Sequence, residues 1–280
     1  MGSVIEAINR RISTRTYAVR PIGEKEKKRI RDLLCSTGAG PFGNRARFEL
    51  LDFKKFEEAE IRTLGTYGII KGADLFIAGA TTLSDKSMED FGYCLEGIIL
   101  KVTDLGLDTC WLGGTFRRSS FAKRINVTEN EIVPAISPIG YGRAKRAASE
   151  KLVRLIARSD RRKPWYELFF DGDIDTPLAR EKAADYTIPL ESVRKAPSAS
   201  NRQPWRIVKA SGRDVYHFYL RRTKGYGHII REFSIQNIDM GIAMCHFELS
   251  AAETGLSGQW VDDRPDLDVG NREYIVSWLG

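Results

Sequence analysis

The sequence predicts an α+β fold built twice within one chain, and three observations lead there. First, residues 90–111 align without gaps to residues 239–260 at a constant offset of 149. Six pairs are identical: Asp90/Asp239, Gly92/Gly241, Leu100/Leu249, Gly106/Gly255, Leu107/Leu256 and Trp111/Trp260. Second, both copies are apolar at helical spacing, with Leu95, Ile98, Ile99, Val102 and Leu105 answered by Met244, Phe247 and Ala251. Third, strand-like segments flank each helix. Two amphipathic helices can resemble one another by chance. Sharing Asp-x-Gly at one end and Gly-Leu-x-x-x-Trp at the other argues against that. A repeat this long exceeds any solenoid unit, so it indicates a duplicated domain or a covalently joined dimer.

The elements follow in order. Val4, Ile5 and Ile8 make a short amphipathic helix that runs into Arg10–Tyr17 (RRISTRTY). Arg11, Ser13 and Arg15 alternate there, so in an extended segment they share one face. Two guanidiniums and a hydroxyl on one face suit a phosphate monoester; a solvated basic helix end is the competing reading. A strand is expected over Arg47–Phe53, then the long helix, which Gly106 ends as a C′ residue. The string from Gly106 to Phe116 (GLDTCWLGGTF) places Gly113-Gly114 where backbone can approach a ligand closely, no Cβ intervening. A plain turn before the next helix is the alternative.

The next strand is expected over Ala135–Gly140. The first half is therefore assigned to residues 1–145 and a linker to 146–183. That linker holds a basic helix over Arg146–Arg158, then Lys163-Pro164-Trp165 and Leu168-Phe169-Phe170, whose aromatic residues are expected to dock it. The second half, 184–280, opens with the run from Ala196 to Arg206 (APSASNRQPWR). Pro197 and Pro204 punctuate it as helix-start and extended positions. Ser198 and Asn201 can offer hydrogen bonds to a heteroaromatic edge; an N-cap followed by a loop would explain Ser198 alone. Strands over Trp205–Lys209 and Val215–Leu220, the second long helix ended by Gly255, and a strand over Tyr274–Gly280 complete the half.

Composition narrows the function classes. A hydrophobic content of 42 % and an aromatic content of 10 % suit a globular core. The longest apolar stretches, such as Ala73–Ala80, are too short to span a bilayer. The N-terminus lacks a signal-peptide pattern, so a cytoplasmic protein is expected. Cys35, Cys94, Cys110 and Cys245 lie far apart, form no CxxC pair and read as buried thiols, so no metal site is expected. Three histidines, none in a triad context, leave side-chain catalysis little to work with and point toward a cofactor. The net charge of +7 raises a nucleic-acid reading. No aromatic-interleaved or helix-turn-helix pattern accompanies it, and clusters such as Arg117-Arg118 read as solvated surface or as contacts to phosphorylated ligands.

The three motif strings together resemble the nitroreductase family of FMN-dependent NAD(P)H oxidoreductases, with matches spread from residue 8 to 280. The resemblance implies an FMN site built by two subunits: one supplies Arg11, Ser13, Arg15 and the Leu112-Gly113-Gly114 loop, the other Pro197, Ser198 and Asn201. Here both sets lie in one chain. The reciprocal elements, residues 37–45 and 258–263, look eroded, and no Arg-x-Ser-x-Arg precedes the second copy. The expectation is a monomeric pseudo-dimer with one FMN site. Arg162, before Lys163-Pro164, is the implied further phosphate contact. The stretch Gly65–Gly68, opposite the flavin pyrimidine in relatives, lacks their usual Asn and Lys. The implied chemistry is carried by FMN rather than by catalytic side chains. NADH or NADPH would be the reductant, and a nitroaromatic, quinone or similar small molecule the electron acceptor. A backbone N–H of Gly113 or Gly114 is the candidate donor to flavin N5. An FMN-binding protein without turnover is the main alternative, with a nucleic-acid binder behind it.

Overall fold

The computed structural model describes residues 2–55, 69–143, 161–224 and 232–280. The expected basic helix over Arg146–Arg158 and the stretch Gly65–Gly68 lie outside them. Among the described residues there are two five-stranded sheets and two long helices, and one strand of the second sheet, at Phe169–Asp171, comes from the segment 146–183 expected to be linker. Strands β1 (Ala46–Asp52), β2 (Leu75–Thr82), β3 (Asp108–Thr109), β4 (Glu131–Ile132) and β5 (Ile136–Gly140) form the first sheet, in the order β1-β2-β5-β3 with β4 on β2. Strands β6 (Phe169–Asp171), β7 (Trp205–Lys209), β8 (Val215–Leu220), β9 (Gln259–Val261) and β10 (Glu273–Leu279) form the second, in the order β6-β7-β8-β10-β9. All pairings are antiparallel except β6 with β7.

The helices are α1 (Val4–Arg10), α2 (Glu24–Cys35), α3 (Ser87–Asp104), α4 (Arg118–Arg124), α5 (Arg180–Ala183), α6 (Thr187–Lys195) and α7 (Ile235–Glu253). The repeated helices are α3 and α7. Gly106 and Gly255, each directly after a C-cap residue, both hold φ of +82°. Leu107 N–H bonds the Val102 carbonyl and Leu256 N–H the Ala251 carbonyl, so both helices end in the same Schellman motif. Nearly every residue of α3 is buried, because α7 covers one side of it and the first sheet another.

The two helices cross with their backbones in contact. A Cβ at Gly92 would overlap the Ile238 carbonyl oxygen, and one at Gly241 the Glu89 carbonyl oxygen. The repeated Asp-x-Gly is therefore a packing device as well as a helix start. A buried polar network reinforces the crossing. Glu96 of α3 accepts from Trp111 Nε1 at 2.6 Å and faces His246 Nε2 of α7 at 2.8 Å. His246 Nδ1 lies 2.9 Å from the Ser192 carbonyl. Both ring nitrogens thus face oxygen atoms. Burial pushes the Glu96 carboxyl up, but the hydrogen bond and charge of His246, with Arg11 and Trp111, hold it below the usual carboxylate range.

Of the aromatic residues in the expected linker, Phe169 and Phe170 are buried in β6, where they pair with Ile207 and Val208 of β7. Trp165 packs edge-on against Phe169 with centroids 4.5 Å apart, its Nε1 donating to the Leu178 carbonyl at 2.6 Å. Two expectations need correction. Cys35 is exposed at the end of α2, while Cys94, Cys110 and Cys245 are buried. Pro197 opens no α-helix: it follows the last turn of α6, and only a single 3-10 turn over Ala199–Asn201 comes after it.

Two outcomes are expected from this packing. Gly92→Ala and Gly241→Ala should each destabilise by about 2 kcal/mol or more, since backbone on the facing helix must move. Gly97→Ala on the same helix, whose Cβ would find only Cys245 Sγ at 3.8 Å, should be neutral or stabilising, because alanine is the better helix former. Urea melts of the three variants check this. Glu96→Gln, which leaves the buried Arg11 guanidinium without its nearest carboxylate, should destabilise by about 3 kcal/mol at neutral pH. Because the Glu96 carboxyl is held low, its contribution is present above the ordinary carboxylate value of about 4 and lost as pH falls through its folded value. The stability gap between wild type and Glu96→Gln should therefore close on acidification below that point.

Candidate functional site

A cavity of about 500 Å³ lies between the halves. The segment after α1 runs extended, as its alternation predicts: Thr14 N–H bonds the Thr109 carbonyl at 2.9 Å, and Ser13 bridges Thr109 in parallel. Arg11, Ser13 and Arg15 face the cavity, whereas Thr14 and Thr16 are buried on the other side. Arg11 is 7 % exposed, and its Nε and Nη1 have no hydrogen-bond partner among the described residues. Its nearest carboxylate contact, Glu96, is 3.9 Å away. A buried guanidinium with donors to spare is the feature that an anionic ligand would complete.

The glycine turn forms a second wall. Leu112 pairs with Ile136 through reciprocal 3.0 Å hydrogen bonds, which carries Gly113 to the cavity. A Cβ at Gly113 would meet the end of the Ile235 side chain of α7, so the turn runs close against that helix. The Gly113 carbonyl takes the Arg118 guanidinium, which also donates to the Pro134 carbonyl at 3.3 Å. Arg118 is thus a brace behind the turn rather than a solvated charge, and burial lowers its pKa. Gly114 does not line the cavity; Thr115 does.

The second half supplies the facing wall. Pro197, Ser198 and Asn201 all line the cavity. The Ser198 hydroxyl accepts the Gln203 N–H at 2.8 Å, which closes the loop on itself. Asn201 Oδ1 accepts from Arg162 Nη1 at 2.9 Å, and its Nδ2 donates to the Arg161 carbonyl at 2.7 Å. Arg162 Nη2 reaches the Lys195 carbonyl at 3.1 Å, so this arginine is built into the wall as well. Ser200, Asn201 and Gln203 hold φ of +46°, +54° and +49°. Three non-glycine residues in the left-handed region within four positions store strain of the kind found at ligand sites.

The structure therefore brings nine of the ten sequence-derived site residues, all but Gly114, around one cavity. It adds others that the motifs do not contain. Ile235, Ile238 and Ile242 present an apolar stripe from α7, and Asp239 sits among them, beside Trp111 of the glycine motif. The Asp239 carboxyl is fully buried, and burial pushes it up to about 8, opposed only by the Ala199 N–H that it accepts at 2.9 Å. Its identity with Asp90 in the repeat was the available signal.

The residues present fit FMN. Three arginines and a serine suit a phosphate, the apolar walls suit a planar ring system, and the Gly113 N–H makes no hydrogen bond within the described residues. No helix among the described residues is long and apolar enough to cross a membrane.

Comparison with known proteins accords with this geometry. A family model described as "Putative TM nitroreductase" matches residues 3–251. The solved structure of a "putative nitroreductase" from Thermotoga maritima MSB8 shares the fold with a TM-score of 0.62 at 19 % identity, covering 99 % of this chain and 94 % of that one. An FMN-dependent nitroreductase from Clostridium difficile R20291 matches 51 % of this chain and 90 % of its own, with a TM-score of 0.42 and 20 % identity. Among curated proteins none matches the chain. Through the family match over most of its length, the chain belongs to the TM nitroreductase family, and so to the oxidoreductases.

Proposed function

We propose that the chain is an FMN-dependent NAD(P)H oxidoreductase that works as a single-chain pseudo-dimer, passing electrons to a nitroaromatic, quinone or similar small acceptor. The carrying observation is the cavity of about 500 Å³, lined at once by the Arg-x-Ser-x-Arg segment, the glycine turn and the Pro-Ser-x-x-Asn loop. The halves are assigned to residues 1–145 and 184–280, with 146–183 joining them.

When bound, FMN supplies the hydride chemistry that no side chain here provides. The chain's own tasks are binding and orientation. Arg11, Ser13, Arg15 and Arg162 would hold the phosphate. Gly113 offers its N–H toward the cavity, and α7 supplies the apolar wall that excludes water. Ser198 and Asn201 shape the facing loop. The hydroxyl of Ser198 is taken up by Gln203 N–H as acceptor but keeps its own hydrogen for a ligand.

An absorbance spectrum with flavin quantified after denaturation, alongside the molar mass from light scattering, tests the proposal. A single FMN per monomeric chain and rapid NADH or NADPH oxidation with menadione or nitrofurazone are expected. Failure to bind FMN added in excess would overturn the reading, and FMN binding without turnover would reduce it to a flavin carrier. Arg11→Ala should weaken FMN about tenfold or more, the worth of a charge-assisted hydrogen bond. Riboflavin, which lacks the phosphate, should lose far less; equal losses would remove Arg11 from the phosphate site.

A further inference from the structure

The two halves treat the same aspartate differently. Asp90 and Asp239 occupy equivalent places in the repeat, each near the start of a long helix and beside a loop that leads into a strand, β1 in the first half and β7 in the second. In the first half the loop wraps the carboxylate completely. Asp90 Oδ1 accepts from Phe42 N–H at 2.9 Å, and Oδ2 accepts from Asn44 N–H at 2.8 Å and Asn44 Nδ2 at 3.0 Å. In the second half the loop gives one N–H, from Ala199, to Oδ1 at 2.9 Å. Asp239 Oδ2 is buried without a hydrogen-bond partner among the described residues, in the wall of the cavity.

An ionised carboxylate with one donor in such a place would be costly, and a buried polar atom left unmatched in a cavity wall signals a missing partner. We propose that Asp239 is a ligand-contacting residue whose neutral carboxyl donates a hydrogen bond from Oδ2 to an acceptor atom of the flavin nucleotide. This rests on the FMN reading above. Burial raises the carboxyl to about 8, so the proton is in place at neutral pH.

The charged neighbours do not supply the missing partner. Arg11, Arg15 and Arg162 line the same cavity and make no hydrogen bond to Asp239 Oδ2. Glu89, on α3 where it crosses α7, is engaged by Asn237 Nδ2 at 2.6 Å; burial raises its pKa too. Tyr93 is engaged by Glu248 at 2.9 Å, and Glu96 pairs with His246 two turns further along α7.

The pH sense follows. As pH rises through about 8, Asp239 ionises, loses the hydrogen that it donates and places a negative charge against the ligand, so binding weakens. The phosphate does not confuse this, because its second ionisation near about 6 is complete by neutral pH. Asp239→Asn keeps an oxygen for the Ala199 N–H and offers an amide hydrogen permanently, mimicking the neutral acid. Asp239→Ala has neither.

The test is FMN titration of flavin-free protein by fluorescence quenching, from pH 7 to pH 9, for wild type and both variants, with thermal melts to confirm folding. Wild-type Kd should rise about tenfold over that range, one pH unit beyond the carboxyl's value. Asp239→Asn should bind within a few-fold of wild type at pH 7 and stay flat. Asp239→Ala should be about tenfold weaker at pH 7, and also flat. An Asp239→Asn profile that falls as steeply as wild type, which Glu89 would produce, overturns the proposal. So does an Asp239→Ala variant that binds as tightly as wild type. Those failures leave the flavoprotein reading standing, whereas wild-type protein that binds no FMN at any pH overturns both.

Discussion

The close approach of α3 and α7 is the constraint on which the rest depends. The Ile238 carbonyl lies over Gly92 and the Glu89 carbonyl over Gly241. Residues 89 and 238 share the offset of 149 that relates the two glycines, so these are one contact repeated about a local twofold axis. Any side chain at either glycine would push the helices apart. The consequence reaches the cavity directly, because the first turns of α7 carry Ile235, Ile238 and Asp239 up to the Gly113 turn of the other half. At Gly113 the approach is close as well, but there the end of the Ile235 side chain rather than backbone stands where a Cβ would be.

Apolar packing alone would let two such helices slide, and the polar groups between them fix the register. Glu96 accepts from Trp111 of its own half and meets His246 of the other. Glu248 accepts from Trp260 of its own half at 2.6 Å and from Tyr93 of the other at 2.9 Å. The two glutamates are not equivalent in the alignment; Glu248 matches Ile99, about one helical turn beyond Glu96. The same brace has thus been kept while its residue moved by a turn. Buried carboxylates of this kind specify an arrangement more than they stabilise it, and here each rejects any sliding that would leave a carboxylate without its donors.

Much of this was legible in the sequence. Strands β7 and β8 coincide with the segments that alternation picks out, and both long helices end at the glycines that the repeat exposes. The motif residues were legible because a phosphate and a ring edge demand particular side chains at fixed spacing. What escaped depends on chain crossings between distant residues. Asp239 was visible only as a repeat identity, since nothing local says that it faces a cavity wall from the other half. Arg118 sat in a basic cluster that reads as solvated surface, yet its guanidinium closes on the Gly113 carbonyl. Gly114 shares its type with Gly113, but the direction of a turn is not written in composition, and Thr115 takes the cavity position instead.

The unequal fate of Asp90 and Asp239 follows from how each loop spends its N–H groups. In the first half, Phe42 and Asn44 turn their N–H groups outward to the carboxylate. In the second, the left-handed residues Ser200 and Asn201 coil the loop on itself. Asn201 N–H bonds the Ser198 carbonyl at 2.9 Å and Arg202 N–H the Ala199 carbonyl at 3.1 Å, while Gln203 N–H takes the Ser198 hydroxyl. Those donors are then out of reach of Asp239, and only Ala199 remains for it. The strained turn is what keeps one carboxylate oxygen open, and the relaxed loop of the first half is what closes its counterpart. Two identical subunits would have to keep both loops alike. A single chain carrying both copies is free to relax one loop around its aspartate and hold the other strained around a ligand.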